Sequence, residues 1–206
     1  MKPKIVLVED EAILRLDVKE MLEDAGYEVI GEAGDGEQAI ELAHELDPDL
    51  VIMDIKMPKM NGVKASKIIS QTRKIPILML TAYSQKDFIE GAKEANVLGY
   101  LVKPISESNL IPAVEIALAQ AKQMSRFEEE IDRRDRKLKA RKRIERAKGI
   151  LMKEKNLSEE TAYEKMRKIS MNKQISLERT AIAILKKYGD LDTSQYSEAK
   201  APKQCN

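Results

Sequence analysis

Tryptophan is absent from this chain of 206 residues, and two Phe and six Tyr hold the aromatic content to 4%. Set against 34% charged residues, that scarcity points to long exposed helices rather than one large aromatic core. Cys205 is the single cysteine, so an internal disulfide is excluded, and no Cys/His cluster has zinc-ligand spacing. The one histidine, His44, falls in a polar helical stretch with no second His or Cys to complete a triad or a metal site. It reads as a surface residue. No window approaches the roughly 20 apolar residues of a membrane helix. Met1-Lys2-Pro3-Lys4 runs straight into an apolar strand without the core of a signal peptide. A soluble, cytoplasmic protein is expected, with no membrane role.

Charge is present, and it is divided. Residues 1–120 carry 13 Lys/Arg against 21 Asp/Glu, a net of −8, and residues 121–206 carry 23 against 14, a net of +9. An acidic half joined to a basic half suggests that the second meets a polyanion. Charge by itself is met more simply by solvated helix faces.

The first half alternates strand-like and helix-like segments. Apolar runs at residues 5–8, 27–33, 50–54, 75–81 and 99–102 are separated by helical patterns near 12–25, after Gly36 (Ala39, Ile40, Leu42 and Ala43), near 62–72 and near 86–96. Five such alternations predict a parallel sheet with right-handed crossovers and helices on both faces. Gly31, Gly34 and Gly36 do not have the spacing of a dinucleotide loop, and Glu32, Asp35 and Glu37 would repel a phosphate there. This cluster reads as a turn.

The stretch LVIMDIKMPKMNG, residues 50–62, is the chemical address. Its apolar strand ends on Asp54, the edge of a parallel sheet where ligands bind. The first strand ends on Glu9 and Asp10, the fourth on Thr81, and Lys103 follows the fifth. Three carboxylates gathered on one edge raise one another's pKa unless a cation relieves them. An all-oxygen site that keeps some waters suits Mg²⁺. Lys103 would offer a positive charge and Thr81 a hydroxyl to phosphoryl oxygens, leaving Asp54 as the nucleophile that forms an acyl phosphate. Each residue alone has a plainer role, as helix cap, β-former or loop; all on one edge, they favour the chemical reading.

Glu9-Asp10, Asp54 with Met57-Pro58 and Asn61-Gly62, Thr81-Ala82, Tyr100 and Lys103-Pro104 together resemble the signature of two-component receiver domains, over residues 4 to about 120. The resemblance implies a flavodoxin-like fold with strand order 2-1-3-4-5. It also implies Mg²⁺ held by Asp10, Asp54 and the backbone carbonyl of Lys56, with Glu9 acting through water. Phosphate would come from a sensor histidine kinase. Thr81 and Tyr100 would be the switch pair, Tyr100 turning inward; from the sequence by itself Tyr100 reads equally as a core aromatic.

From about Glu107 the pattern is helical. A test for a coiled coil finds Met124, Ile131 and Leu138 apolar, but Glu128, Asp135 and Lys142 charged in the companion positions, which makes a weak seam. Residues 141–187 read as three short helices, with Ser158 and Ser176 as N-caps and Tyr163 packed inside the bundle. Between Arg133 and Lys148 stand ten basic residues and two acidic ones, a stripe suited to a phosphate backbone. Glu145-Arg146-Ala147-Lys148-Gly149-Ile150-Leu151-Met152, then Ala162-Tyr163 and Met166-Arg167, resemble the ANTAR domain, an RNA-binding antitermination module. That resemblance implies a three-helix bundle that binds RNA stem-loops of a leader transcript as a homodimer. Arg141, Lys142, Arg143, Arg146, Lys148 and Arg167 are the candidate contacts.

The expected organisation is a receiver at 1–120, a helical linker at 121–140, the RNA-binding module at 141–189 and a disordered tail at 190–206. The expected function is a phosphorylation-controlled antiterminator that is not itself an enzyme. Its rivals are a DNA-binding regulator and one whose helical output binds protein.

Overall fold

The computed structural model describes residues 2–82 and 97–188. The helix expected near 86–96 and the tail expected at 190–206 lie outside the described residues. The chain divides into two compact units, Met1–Phe127 and Glu128–Asn206, taken here in turn.

In the first unit, strands β1 (Lys4–Val8), β2 (Glu28–Ala33), β3 (Leu50–Asp54), β4 (Ile77–Thr81) and β5 (Val97–Val102) form one sheet in the order β2-β1-β3-β4-β5. Every pairing is parallel. This is the 2-1-3-4-5 order that the receiver resemblance implies. All five residues of β3 and of β4 are buried, because a parallel strand in mid-sheet has helices over both faces. Successive side chains therefore feed two cores. Val6, Val8, Val51, Met53, Ile77 and Met79 meet helices α2 (Gly36–Leu46) and α3 (Gly62–Thr72) on one face. Ile5, Leu7, Leu50, Ile52, Leu78 and Leu80 meet α1 (Ala12–Asp24) and the start of α4 (Glu107–Lys155) on the other. Each of these large side chains contributes about 1.5–3 kcal/mol by leaving water.

Two glycines depart from the expected turn. Gly31 lies within β2, opposite Val6, beside an irregularity in the β1–β2 register. A Cβ there would stand 2.9 Å from Leu46 Cδ1, so glycine lets the end of α2 close on the sheet. Gly36 opens α2, donates its N–H to the Met60 carbonyl at 3.1 Å, and has no room for a side chain against that same oxygen. The loop after β3 is thereby drawn to the loop after β2.

In the second unit α4 continues without interruption to Lys155, so the linker helix and the first helix of the bundle are one element. Between Pro112 and Gly149 no residue breaks a helix, and the latter is tolerated at a modest cost. The helix ends where Asn156 adopts φ +50°, and α5 (Glu159–Asn172) and α6 (Leu177–Lys187) follow. Ser158 accepts from the Thr161 N–H and Ser176 from the Arg179 N–H, as expected of N-caps. Ala147, Leu151, Ala162, Met166, Ala181, Ile184 and Leu185 form the core of this unit. Tyr163 is absent from it. Its side chain is 43% exposed, which corrects the expectation that it packs in the bundle. Ala162 and Met166 already occupy the inward stripe of α5, and one residue's 100° rotation carries Tyr163 out of it.

Gly62 is the tightest of the described glycines: a Cβ there would stand 2.1 Å from the Asp54 carbonyl oxygen. Gly62→Ala is expected to lower the unfolding free energy by about 1–3 kcal/mol, since the loop must shift to relieve overpacking. Urea denaturation of both proteins checks this; an unchanged midpoint would refute the close approach.

Candidate phosphoacceptor site

The carboxyl ends of the strands bring the sequence's candidates together. One carboxylate oxygen each from Glu9, Asp10 and Asp54 lies within 4.8 Å of the other two. Glu9 is fully buried and Asp54 is 5% exposed, while Asp10 faces solvent. Lys103 reaches in from the end of β5. Its Nζ donates to Asp54 Oδ2 at 2.9 Å and stands 2.8 Å from Glu9 Oε2. That Glu9 oxygen lies near enough for charge pairing yet off the direction of a hydrogen bond, and it remains a buried acceptor without a directed donor.

The titration behaviour follows from this crowding. Burial pushes the Glu9 carboxyl up, the close Lys103 ammonium opposes it, and the Asp54 charge adds to the rise. Burial alone would lower the Lys103 ammonium, but its contacts with the Glu9 and Asp54 carboxylates outweigh this and hold it up. The lysine is therefore fixed as a cation between two carboxylates.

Backbone contacts fix the frame. The Ile55 N–H donates to Asp54 Oδ1 at 2.7 Å and to the Leu80 carbonyl. Lys103 N–H donates to the Thr81 carbonyl at 2.8 Å, which ties the lysine's strand end to the threonine's. Thr81 is buried at the end of β4. Lys56 sits two residues past Asp54, in a loop closed by the Gly62 N–H donating to the Ile55 carbonyl at 3.0 Å. Tyr100, on β5, is 37% exposed and is not a core aromatic; partial burial raises its phenol pKa. His44 is exposed, near the end of α2, as the sequence suggests.

The donor set fits a hard divalent cation. It is all oxygen, one carboxylate is open to solvent, and the buried Glu9 oxygen has no directed donor. Glu9, Asp10 and Asp54 would hold such an ion.

Two contacts and one exposed row escaped the sequence reading. Arg15 Nη1 donates to the Glu9 carbonyl at 2.6 Å, six residues away along the chain. Asp35 caps α2 through the Glu37 and Gln38 N–H groups and accepts from Lys59 Nζ at 2.6 Å. Only the capping half had a sequence signal, an Asp just ahead of a helical pattern. Phe127 completes the row: it is 55% exposed and joins Met124, Ile131 and Leu138 on α4 at spacings of three, four and seven.

The basic candidates divide. Lys148 Nζ pairs with Glu145 and, at 2.7 Å, with Glu159 Oε1. These two hydrogen bonds raise its pKa. Arg143 pairs with Glu178, and Arg146 is also engaged within the protein. Arg141, Lys142 and Arg167 are exposed.

A parallel 2-1-3-4-5 sheet whose strand ends present this acidic cluster and lysine is a receiver. Comparison with known proteins agrees. Residues 5–115 match the response regulator receiver domain, and residues 133–185 match the ANTAR domain. The transcriptional regulatory protein PdtaR of Mycobacterium tuberculosis is 42% identical over 186 residues, covering 90% of this chain and 91% of that one. Protein CcdB of Bacillus subtilis is 40% identical over 112 residues, 54% of this chain and 93% of its own. A signal receiver domain of a modulated diguanylate cyclase from Desulfovibrio desulfuricans superposes with a TM-score of 0.56 at 29% identity, covering 60% of this chain and 99% of that one. The chain belongs to the response regulators of two-component systems that join a receiver domain to an ANTAR domain.

Lys103→Met leaves the buried Glu9 and Asp54 without their cation. In buffer containing a chelator it is expected to cost about 3 kcal/mol at neutral pH. Because the Glu9 carboxyl is raised in the folded state, proton uptake stabilises the variant as pH falls, and the loss shrinks toward acid. Chemical denaturation across that range reads this out. A loss independent of pH would contradict charge compensation.

Proposed function

We propose that the protein is a phosphorylation-controlled antiterminator: a sensor histidine kinase phosphorylates Asp54, and the helical output then binds RNA stem-loops in a leader transcript. The observation that carries the first step is the Lys103 ammonium bound to a buried Asp54 beside Glu9 and Asp10. The support for the second is the ANTAR match and the likeness to a transcriptional regulator over 90% of the chain.

Asp54 attacks the donor's phosphorus through a carboxylate oxygen. A phosphorus–oxygen bond forms, the donor's phosphorus–nitrogen bond breaks, and the released imidazole keeps the electron pair. Asp10, Asp54 and the Lys56 carbonyl, with Glu9 through water, would hold Mg²⁺, which would supply charge neutralisation for the phosphoryl group. Lys103 exchanges its contact with Asp54 Oδ2 for one with a phosphoryl oxygen, and the Thr81 hydroxyl donates to another. Thr81 thereby moves toward the phosphoryl group, and Tyr100, half out in solvent in the present state, turns inward behind it.

The exposed row Met124, Phe127, Ile131 and Leu138 supports pairing of two α4 helices in the active state, which sets two RNA modules side by side. Arg134 and Arg141 fall in the same row and weaken it, so pairing depends on phosphorylation. The protein acts in the cytoplasm and performs no catalysis beyond accepting phosphate.

Asp54→Ala, given a small-molecule phosphodonor, Mg²⁺ and hairpin RNA, tests the switch. The wild-type chain is expected to gain the mass of one phosphoryl group and to bind RNA at least tenfold tighter, while the variant does neither. Equal tightening in both proteins would disprove control through Asp54. Competition by promoter duplex that exceeds competition by hairpin RNA would favour a DNA-binding output.

A further inference from the structure

Resting on the RNA-binding reading, we infer that the RNA contact surface is one side of α5, with Tyr163 stacking on an unpaired base, Arg167 beside it and Gly149 leaving room for close approach, rather than the basic stripe of α4. The stripe dominates the sequence. Its strongest members, however, serve the fold: Lys148 holds Glu145 and Glu159, and Arg143 holds Glu178. A cation already bound to carboxylates must give them up to take a phosphate.

The side chains of α5 have the opposite character. Ala162 and Met166 point into the core, which leaves Tyr163 exposed and Arg167 exposed one helical turn further on. Among the described residues Arg167 makes no ion pair or hydrogen bond through its side chain. Tyr163 and Met171 are the large apolar side chains that the bundle of residues 141–188 leaves exposed. Exposing an aromatic ring gains nothing for the fold, whereas an aromatic face beside a guanidinium is what unpaired bases stack against. Glu160 and Glu164 stand on the same flank of α5, so the patch accepts RNA through the ring and a single cation rather than by net charge.

Gly149 is the independent observation. It lies inside α4, exposed, with nothing within 4 Å of where a Cβ would be. Glycine in a helix interior is destabilising relative to alanine, and here no packing requires it. The Lys148–Glu159 pair brings the neighbouring turn of α4 against the first turn of α5, and Tyr163 follows one turn later. The bare backbone at Gly149 leaves room for a nucleotide to come close to α4.

The test uses the full-length chain and a pool of RNA hairpins with a constant stem and a randomised loop, enriched on the wild type, with the stem duplex alone as the paired control. Tyr163→Ala is expected to weaken hairpin binding roughly 5- to 150-fold, the contribution of one stacked base, with duplex binding unchanged. Tyr163→Phe keeps wild-type affinity. Gly149→Ala raises the thermal midpoint by a few degrees yet weakens the hairpin, a pairing of effects that a structural role alone does not produce. The inference is overturned if Tyr163→Ala and Gly149→Ala bind hairpins as the wild type does while Arg141→Gln/Lys142→Gln loses them. If the wild type enriches no hairpin, the RNA-binding reading itself fails, an outcome distinct from loss in the variants alone.

Discussion

A lysine held between two buried carboxylates is the constraint on which the first unit depends. Glu9 and Asp54 sit side by side because β1 and β3 are neighbours in a parallel sheet, and parallel strands deliver all their carboxyl ends to one edge. Two carboxylates there repel each other, and Lys103 arrives from the far side of β4 to offset them. The same crowding that costs stability makes the edge suited to a cation. Much of the surrounding backbone serves this arrangement. Gly62 lets the loop lie against the Asp54 carbonyl, and Arg15 grips the carbonyl of Glu9.

The output unit solves a different problem. Three helices share a small core of Ala147, Leu151, Ala162, Met166, Ala181, Ile184 and Leu185, near the size at which burial alone supports a fold. Ion pairs between helices supplement it, Arg143 with Glu178 and Lys148 with Glu159, and serine caps close the starts of α5 and α6. Part of the positive charge that suggests a polyanion partner is thus engaged in holding the bundle together. The surface left for a partner is narrower and more aromatic than a count of Lys and Arg implies.

Much of the receiver is legible in the sequence because its signals are local. The apolar runs of β3 and β4 announce strands buried on both faces, the helical spacing of α1 to α3 announces their covers, and Glu9, Asp10, Asp54 and Lys103 each follow a strand. Contacts between distant turns leave no such trace. Nothing in the spacing of Asp35 and Lys59 says that they meet, and nothing around Gly31 distinguishes a turn from a strand that needs space for Leu46. α4 runs unbroken from the linker into the bundle, and no residue between them breaks a helix.

The sequence by itself determined the alternation of strands and helices that makes a parallel sheet, the carboxylates at the strand ends and the division into an acidic and a basic half. Periodicity and strand-end position are properties of the chain, and they survive without coordinates. Only the tertiary structure decided which side chains are spent on each other. Lys148 is occupied by Glu145 and Glu159, and Tyr163 is turned out of the core by the rotation of α5. Those outcomes depend on how helices meet across a core, which pairs residues far apart in the chain and which no local pattern encodes.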